Sequence, residues 1–162
     1  MHNGRISKGK ITLGVIIILT LIFILSHSLM SPEASQEESD TVGGAVSSVF
    51  PTDTAFGAFL QTNIRNIAHF CEYGLLGAEI SLAVSLWGKR KIRLSFLSLL
   101  LAVAVAFVDE TVQIFSGRVS SVTDMWIDTF GFFTLYTVVA IVFSVICFFR
   151  RRRKNKTDAG QA

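Results

Sequence analysis

The stretch VDETVQIFSGRVSSVTDMWIDTFG, residues 108–131, places Asp109, Glu110, Gln113, Arg118, Asp124 and Asp128 between two apolar runs. A second stretch, IRNIAHFCEYGLLGAEI, residues 64–80, holds Arg65, His69, Glu72, Tyr73 and Glu79. Crowded carboxyls can divide the roles of acid and base, because one holds a proton more easily while its neighbour stays ionised. A guanidinium can hold a phosphate or carboxylate. His69 with carboxylates offers ligands to a divalent metal, but a lone histidine without a second at ligand spacing does not make a zinc motif, and no metal is assigned. No serine stands beside a base in the manner of a nucleophile, and no C-x-x-C motif occurs. The residues therefore assign neither a reaction type nor a cofactor.

What positions these groups follows from composition. The 162-residue chain is 51% hydrophobic and 17% charged, with a mean hydropathy of +0.54, too apolar for an ordinary soluble domain. Four runs, residues 11–30, 66–87, 94–115 and 125–149, have the length that a bilayer core asks of a helix. A span must satisfy its backbone internally, so the expected fold is all-α, a single integral membrane domain built as a bundle of four transmembrane helices. The first run also has the basic and apolar regions of a secretory signal, but no A-x-A site follows it, and an uncleaved anchor is preferred. Residues 31–63 form the expected extracytoplasmic linker. SPEASQEESDTVGG has the composition of a solvated segment, and Pro51 and Gly57 argue against one continuous helix over the mixed stretch that follows. Cys71 and Cys147 lie near opposite ends of their spans, which excludes a bond between them.

Lysine and arginine fix the expected orientation, since cationic loops stay in the cytoplasm. Arg5, Lys8 and Lys10 precede the first span, Lys89, Arg90, Lys91 and Arg93 join the second to the third, and a basic tail over residues 150–162 follows the fourth. Both termini are thus expected to be cytoplasmic, with the acidic 31–63 segment and the Arg118 loop outside. The basic pI of about 9.1 then reflects topology, and nucleic acid is not an expected partner; the lipid bilayer is.

At 100° per residue, Arg65, His69, Glu72 and Glu79 fall within an arc of about 80°, with Tyr73 at its edge. Gly74, Ala78 and Ser81 line the other side, and Gly77, Ser81 and Ser85 recur at a four-residue spacing that permits close helix contact. On the third span Glu110, Gln113 and Asp109 share one side, continued inward by Ala106, Val103 and Leu99; on the fourth, Asp124 and Asp128 stand one turn apart, in line with Gly131 and Leu135. Antiparallel packing brings all of these to one depth at the outer end. Ionised groups are expensive in lipid, so they are expected to face one another or a wet cleft. Glu79 lies deeper without a cation at its level, and is expected to be buried, protonated and hydrogen-bonded to Thr134, Tyr136 or Thr137.

IRNIAHFCEYGLLG followed by DETVQIFSGRVSSVTDMWIDTFG resembles the VanZ-like family of bacterial membrane proteins. That family's pattern is a basic residue, H-F-x-E-Y and glycine in one helix, then D-E-x-x-Q, G-R and two aspartates before a glycine. The resemblance spans about residues 60–135. Asn66 stands where the family often has lysine, and Leu135 where a second glycine is common, which suggests a looser helix contact. The resemblance implies a four-helix protein of the bacterial inner membrane, linked through the founding member to tolerance of the glycopeptide teicoplanin, without supplying a reaction.

Three readings of the polar cluster stay open. Arg65 and Arg118 could pin the bundle by pairing with Glu72, Glu110 and the aspartates. The cluster could act on a lipid-linked envelope substrate. It could instead form an outward-facing pocket that binds or transports an envelope ligand, such as a cell-envelope precursor or a glycopeptide-related molecule, and this reading is placed first.

The orientation has a direct test. With Glu38→Cys and Asn155→Cys introduced separately, a membrane-impermeant thiol reagent is expected to label position 38 in intact cells and position 155 only after lysis; the reverse would overturn the topology.

Overall fold

The computed structural model describes residues 8–87, 91–117 and 122–159. Six helices follow one another: α1 (Lys8–Ser28), α2 (Pro32–Val49), α3 (Ala55–Thr62), α4 (Ile64–Trp87), α5 (Lys91–Phe115) and α6 (Val122–Ala159). Four segments are long and apolar enough to cross a bilayer: Lys8–Ser28, Ile64–Trp87, Leu94–Phe115 and Val122–Arg153. The expected all-α, four-span membrane bundle is therefore present, and the chain is a multi-pass membrane protein. Large apolar side chains such as Ile18, Leu19, Phe107 and Phe130 point out of the bundle, as lipid-facing residues should. At 38 residues α6 exceeds the expected run of 125–149. At about 1.5 Å per residue it spans roughly 57 Å, so its basic end, Arg150 to Arg153, projects beyond a hydrocarbon core of about 30 Å.

The 31–63 segment corrects the sequence reading. It is helical rather than a linker, because its local signals outweigh its polar composition. Ser31 caps α2 by accepting the Ala34 N–H at 3.3 Å, Pro32 occupies the first turn and Glu33 meets the positive end of the helix dipole. The break falls where Pro51 predicts it, between α2 and α3. Gly57, expected to be a second breaker, lies inside α3. A Cβ there would collide with the carbonyl oxygen of Pro51, so the missing side chain lets α3 fold back tightly on the turn that precedes it.

α4 is the centre of the bundle, with His69, Tyr73, Gly74, Leu76, Gly77, Glu79, Ser81 and Ala83 buried. Its most extensive partner is α6, while α1 and α5 close the remaining sides and α2 and α3 pack near its start. A Cβ on Gly77 would collide with the backbone of Phe132, and one on Gly131 with the backbone of Phe70. The two helices meet backbone to backbone. Ser81 reinforces the contact by donating to the Tyr136 carbonyl at 2.8 Å. Leu135 does not loosen it: its Cγ sits 3.1 Å from where a Gly74 Cβ would be, filling the space that this glycine leaves. Ile24, Tyr73, Leu76, Ala102, Ala106 and Phe132 form the apolar core below the polar end. On α5 the inward face continues from Asp109 through Ala106, Ala102 and Ser98, all buried; Val103, assigned to that face from the wheel, is 42% exposed. Gly117, at φ +76°, ends α5 in the left-handed region that glycine tolerates.

Gly77→Ala and Gly131→Ala are each expected to destabilise the purified protein by about 1–3 kcal/mol through overpacking. Gly14→Ala, with nothing within 4 Å of the added carbon, is expected to be neutral. Thermal unfolding in detergent compares the three, and equal melting temperatures would refute the glycine contact.

Candidate functional site

The polar groups gather at the end of the bundle that carries Ser28, Ile64, Phe115 and the start of α6. α4 contributes Arg65, His69, Glu72 and Tyr73, α5 contributes Asp109, Glu110 and Gln113, and α6 contributes Asp124 and Asp128. His69, Tyr73, Asp109, Glu110, Gln113 and Asp128 are buried. Three helices thus bring to one level the residues that the two sequence stretches hold apart. Arg118 lies outside the described residues.

The deepest layer is a chain of hydrogen bonds. His69 Nδ1 lies 3.2 Å from Asp128 Oδ1. Asp109 accepts from the Ser28 hydroxyl through Oδ1 and from Gln113 Nε2 at 3.0 Å through Oδ2. Gln113 in turn accepts from Arg65 at 3.2 Å. One ligand-type atom each from His69, Asp109 and Asp128 falls within 4.8 Å of the others. Metal-ligand spacing along the chain could not show this, because the carboxylates sit on two other helices. Tyr73 is fully buried, and its hydroxyl lies in the field of Asp109, Asp128, Glu72 and Glu110.

Above this layer stands a residue the sequence reading missed. His27, in the last turn of α1, has Nδ1 3.1 Å from Glu72 and Nε2 2.8 Å from Glu38 of α2, and its ring is stacked 6.4 Å from that of His69. Treating the first run as an anchor hid the signal, which is a histidine and Ser28 together at the same expected depth as His69. Ser116, just past the end of α5, ties that helix to α1 by donating to the Ser28 carbonyl at 3.0 Å. Among the pairings expected for Arg65, with Glu72, Glu110 or the aspartates, the structure selects one. Arg65 faces Asp124 at 3.8 Å rather than Glu72, whose partner is His27.

A cavity of about 80 Å³ opens in this upper layer, lined by His27, Ser35, Glu38, Ser39, Val42, Ile64, Arg65, Ala68, His69 and Glu72. It has room for a small polar group with its water. Its wall offers cationic or donor groups from Arg65 and the two histidines opposite two carboxylates, so it suits a ligand head that both accepts and donates. The larger cavity of about 400 Å³, between α1, α4 and α5 toward the basic end, is lined by apolar residues and Ser98 and holds no titratable side chain.

Glu79 is buried as expected, but its partner is different. Thr20 of α1 donates to it at 2.9 Å, whereas the Thr134 hydroxyl turns back to the Phe130 carbonyl and Tyr136 donates to Ser95. Glu79 looks toward α1, whereas Arg65 on the same stripe reaches Gln113 of α5 and Asp124 of α6. A helical wheel orders residues about one axis but does not say which neighbour lies opposite.

A family model described as VanZ/LLP1 matches residues 12–149, and the chain belongs to that family. No curated protein and no solved structure matches it.

The contact between His27 and Glu72 is expected to be energetically coupled. A double-mutant cycle of His27→Gln and Glu72→Gln, read by thermal unfolding in detergent, should give a coupling of about 0.5–3 kcal/mol; strict additivity would show the pair to be incidental.

Proposed function

We propose that this VanZ/LLP1-family protein sits in the bacterial inner membrane with its polar end facing outward. There it binds the polar head of an envelope ligand in the cavity between α1, α2 and α4. The observation that carries this reading is the cavity wall itself: Arg65, His27 and His69 face Glu38 and Glu72 around a space of about 80 Å³, above the buried layer of Asp109 and Asp128. Packing alone does not require a mixed-charge hollow at that depth, since each buried charge is stabilising only when well partnered. Arg65 would hold a phosphate or carboxylate, and Glu38 and Glu72 would accept from amines or hydroxyls. A lipid-linked cell-envelope precursor fits these requirements, because its head could enter the cavity while its chains stay in the bilayer. The contribution to the cell would be tolerance of teicoplanin, through that ligand or a glycopeptide-related one.

A second reading, a membrane-embedded enzyme modifying a lipid-linked substrate, is favoured by the buried His69–Asp128 pair at 3.2 Å, which could move a proton. Turnover separates the two.

Glu72→Gln, Glu110→Gln and Asp128→Asn keep size and hydrogen-bonding capacity while removing charge. At normal protein level, each is expected to lower teicoplanin tolerance toward that of cells lacking the protein. If envelope lipids and precursors then keep their chemical structures, binding is supported; a modified species that vanishes with the protein supports catalysis. Wild-type tolerance in all three variants would refute a functional site and leave a structural role.

A further inference from the structure

We infer that His69, Asp109 and Asp128 form a binding site for one divalent metal ion of the Zn²⁺ or Mn²⁺ class. Each comes from a different helix, α4, α5 and α6, and each presents a ligand-type atom within 4.8 Å of the other two. Ligand atoms around an ion bound at about 2.0–2.2 Å lie roughly 3–4 Å apart. Atoms up to 4.8 Å apart must therefore approach by about 1–2 Å, a movement that rotamer changes shared between two side chains supply. Exposure is 4% for His69 and 0% for both aspartates, so bulk water cannot screen them.

Charge balance points the same way. Asp109 is hydrogen-bonded to the neutral Ser28 and Gln113, and Arg65 spends its guanidinium on Gln113 and Asp124. Among the described residues no lysine or arginine pairs with Asp109 or Asp128. With the imidazole neutral and both carboxyls ionised, as metal ligands must be, the site would carry the charge that a divalent cation cancels.

An independent observation comes from the atoms left over. His69 Nε2, Asp128 Oδ2 and the Tyr73 hydroxyl are buried with no hydrogen-bond partner among the described residues. Tyr73 is fully buried, and its hydroxyl is in the field of both aspartates. Orphaned polar atoms are costly in a low-dielectric interior. A metal ion bound to Asp128 would give Oδ2 a partner, and a flip of the His69 ring would turn Nε2 toward the same ion. A purely structural hydrogen-bond network accounts for the His69–Asp128 pair but leaves Oδ2 and Nε2 unexplained. The supports behind the ligands also suit a metal, because Ser28 and Gln113 fix the Asp109 carboxylate and Arg65 fixes Gln113. One imidazole with two carboxylates favours Zn²⁺ or Mn²⁺ over Ca²⁺, which takes six to eight oxygens.

The inference shares His69 with the ligand cavity but does not rest on the headgroup reading, since metal content is measured without any envelope ligand. Untagged full-length protein would be purified in detergent, stripped with a chelator and titrated with Zn²⁺, with bound metal read by mass spectrometry and heat of binding by calorimetry. The expected result is about one ion per chain, lost in His69→Gln and Asp128→Asn. Ser28→Ala, which alters only the support of Asp109, is expected to weaken binding about 10–100-fold. Should the ligand variants fail to fold, X-ray absorption of the zinc-loaded wild type decides, because the site predicts a shell of nitrogen and oxygen with a single imidazole. Wild type that retains no zinc above the detergent blank, stoichiometric zinc that survives all three substitutions, or a shell with two or more imidazoles would overturn the site. Zinc loading with unaltered teicoplanin tolerance in the pocket variants would retain the metal and reject the headgroup reading.

Discussion

The backbone contact between α4 and α6 governs everything above it. Gly77 against Phe132 and Gly131 against Phe70 bring the two helices closer than any pair of side chains would allow. His69 precedes Phe70 by one residue, and Asp128 precedes Gly131 by about one turn. The glycine contact therefore sets the distance between the histidine and the aspartate directly. Without a hydrophobic force to drive helices together inside lipid, such close packing and the hydrogen bonds that accompany it are the main sources of association. The polar cluster is then a consequence of the same contact that stabilises the bundle.

Polarity is layered by depth. At the top, His27, Glu38, Glu72, Arg65 and Asp124 form partly exposed pairs, each of modest worth because water still competes. Below them Asp109, Gln113 and Asp128 are fully buried, where an unmatched group is costly. Beneath those the Tyr73, Phe132 and Ala106 core excludes water altogether. Such an arrangement leaves room for a polar group at the top and keeps the bottom rigid. α2 is part of it, since Glu38 reaches back to His27 and its helix forms one wall of the cavity.

The spans were legible because hydropathy and length are one-dimensional properties, and α5 ends at Phe115 as expected of the third run. His69, Glu72, Asp109, Gln113 and Asp128 were legible as a group because acids in lipid have few places to go. What was not legible depended on which helix faces which. The partner of Glu79 was sought on α6, yet Thr20 of α1 supplies it. Arg65 was expected to pair with Glu72, Glu110 or the aspartates, and of these it turns to Asp124, while Glu72 goes to His27. The His–Asp–Asp grouping is invisible to a search for ligand spacing because its members come from three helices. In residues 31–63 composition pointed to a linker, but the Ser31–Pro32 and Thr54 capping signals decided for helix.

The central claim is that the hollow at the polar end takes a ligand. It is tested most directly by native mass spectrometry of the full chain released from nanodiscs made with envelope lipids of the host membrane. Wild-type protein is predicted to carry a discrete adduct with the mass of one anionic or zwitterionic envelope lipid, retained when bulk lipids have been stripped. In Arg65→Gln combined with Glu72→Gln, the same adduct should be lost at equal protein signal. An adduct pattern identical in wild type and the double variant would contradict the account.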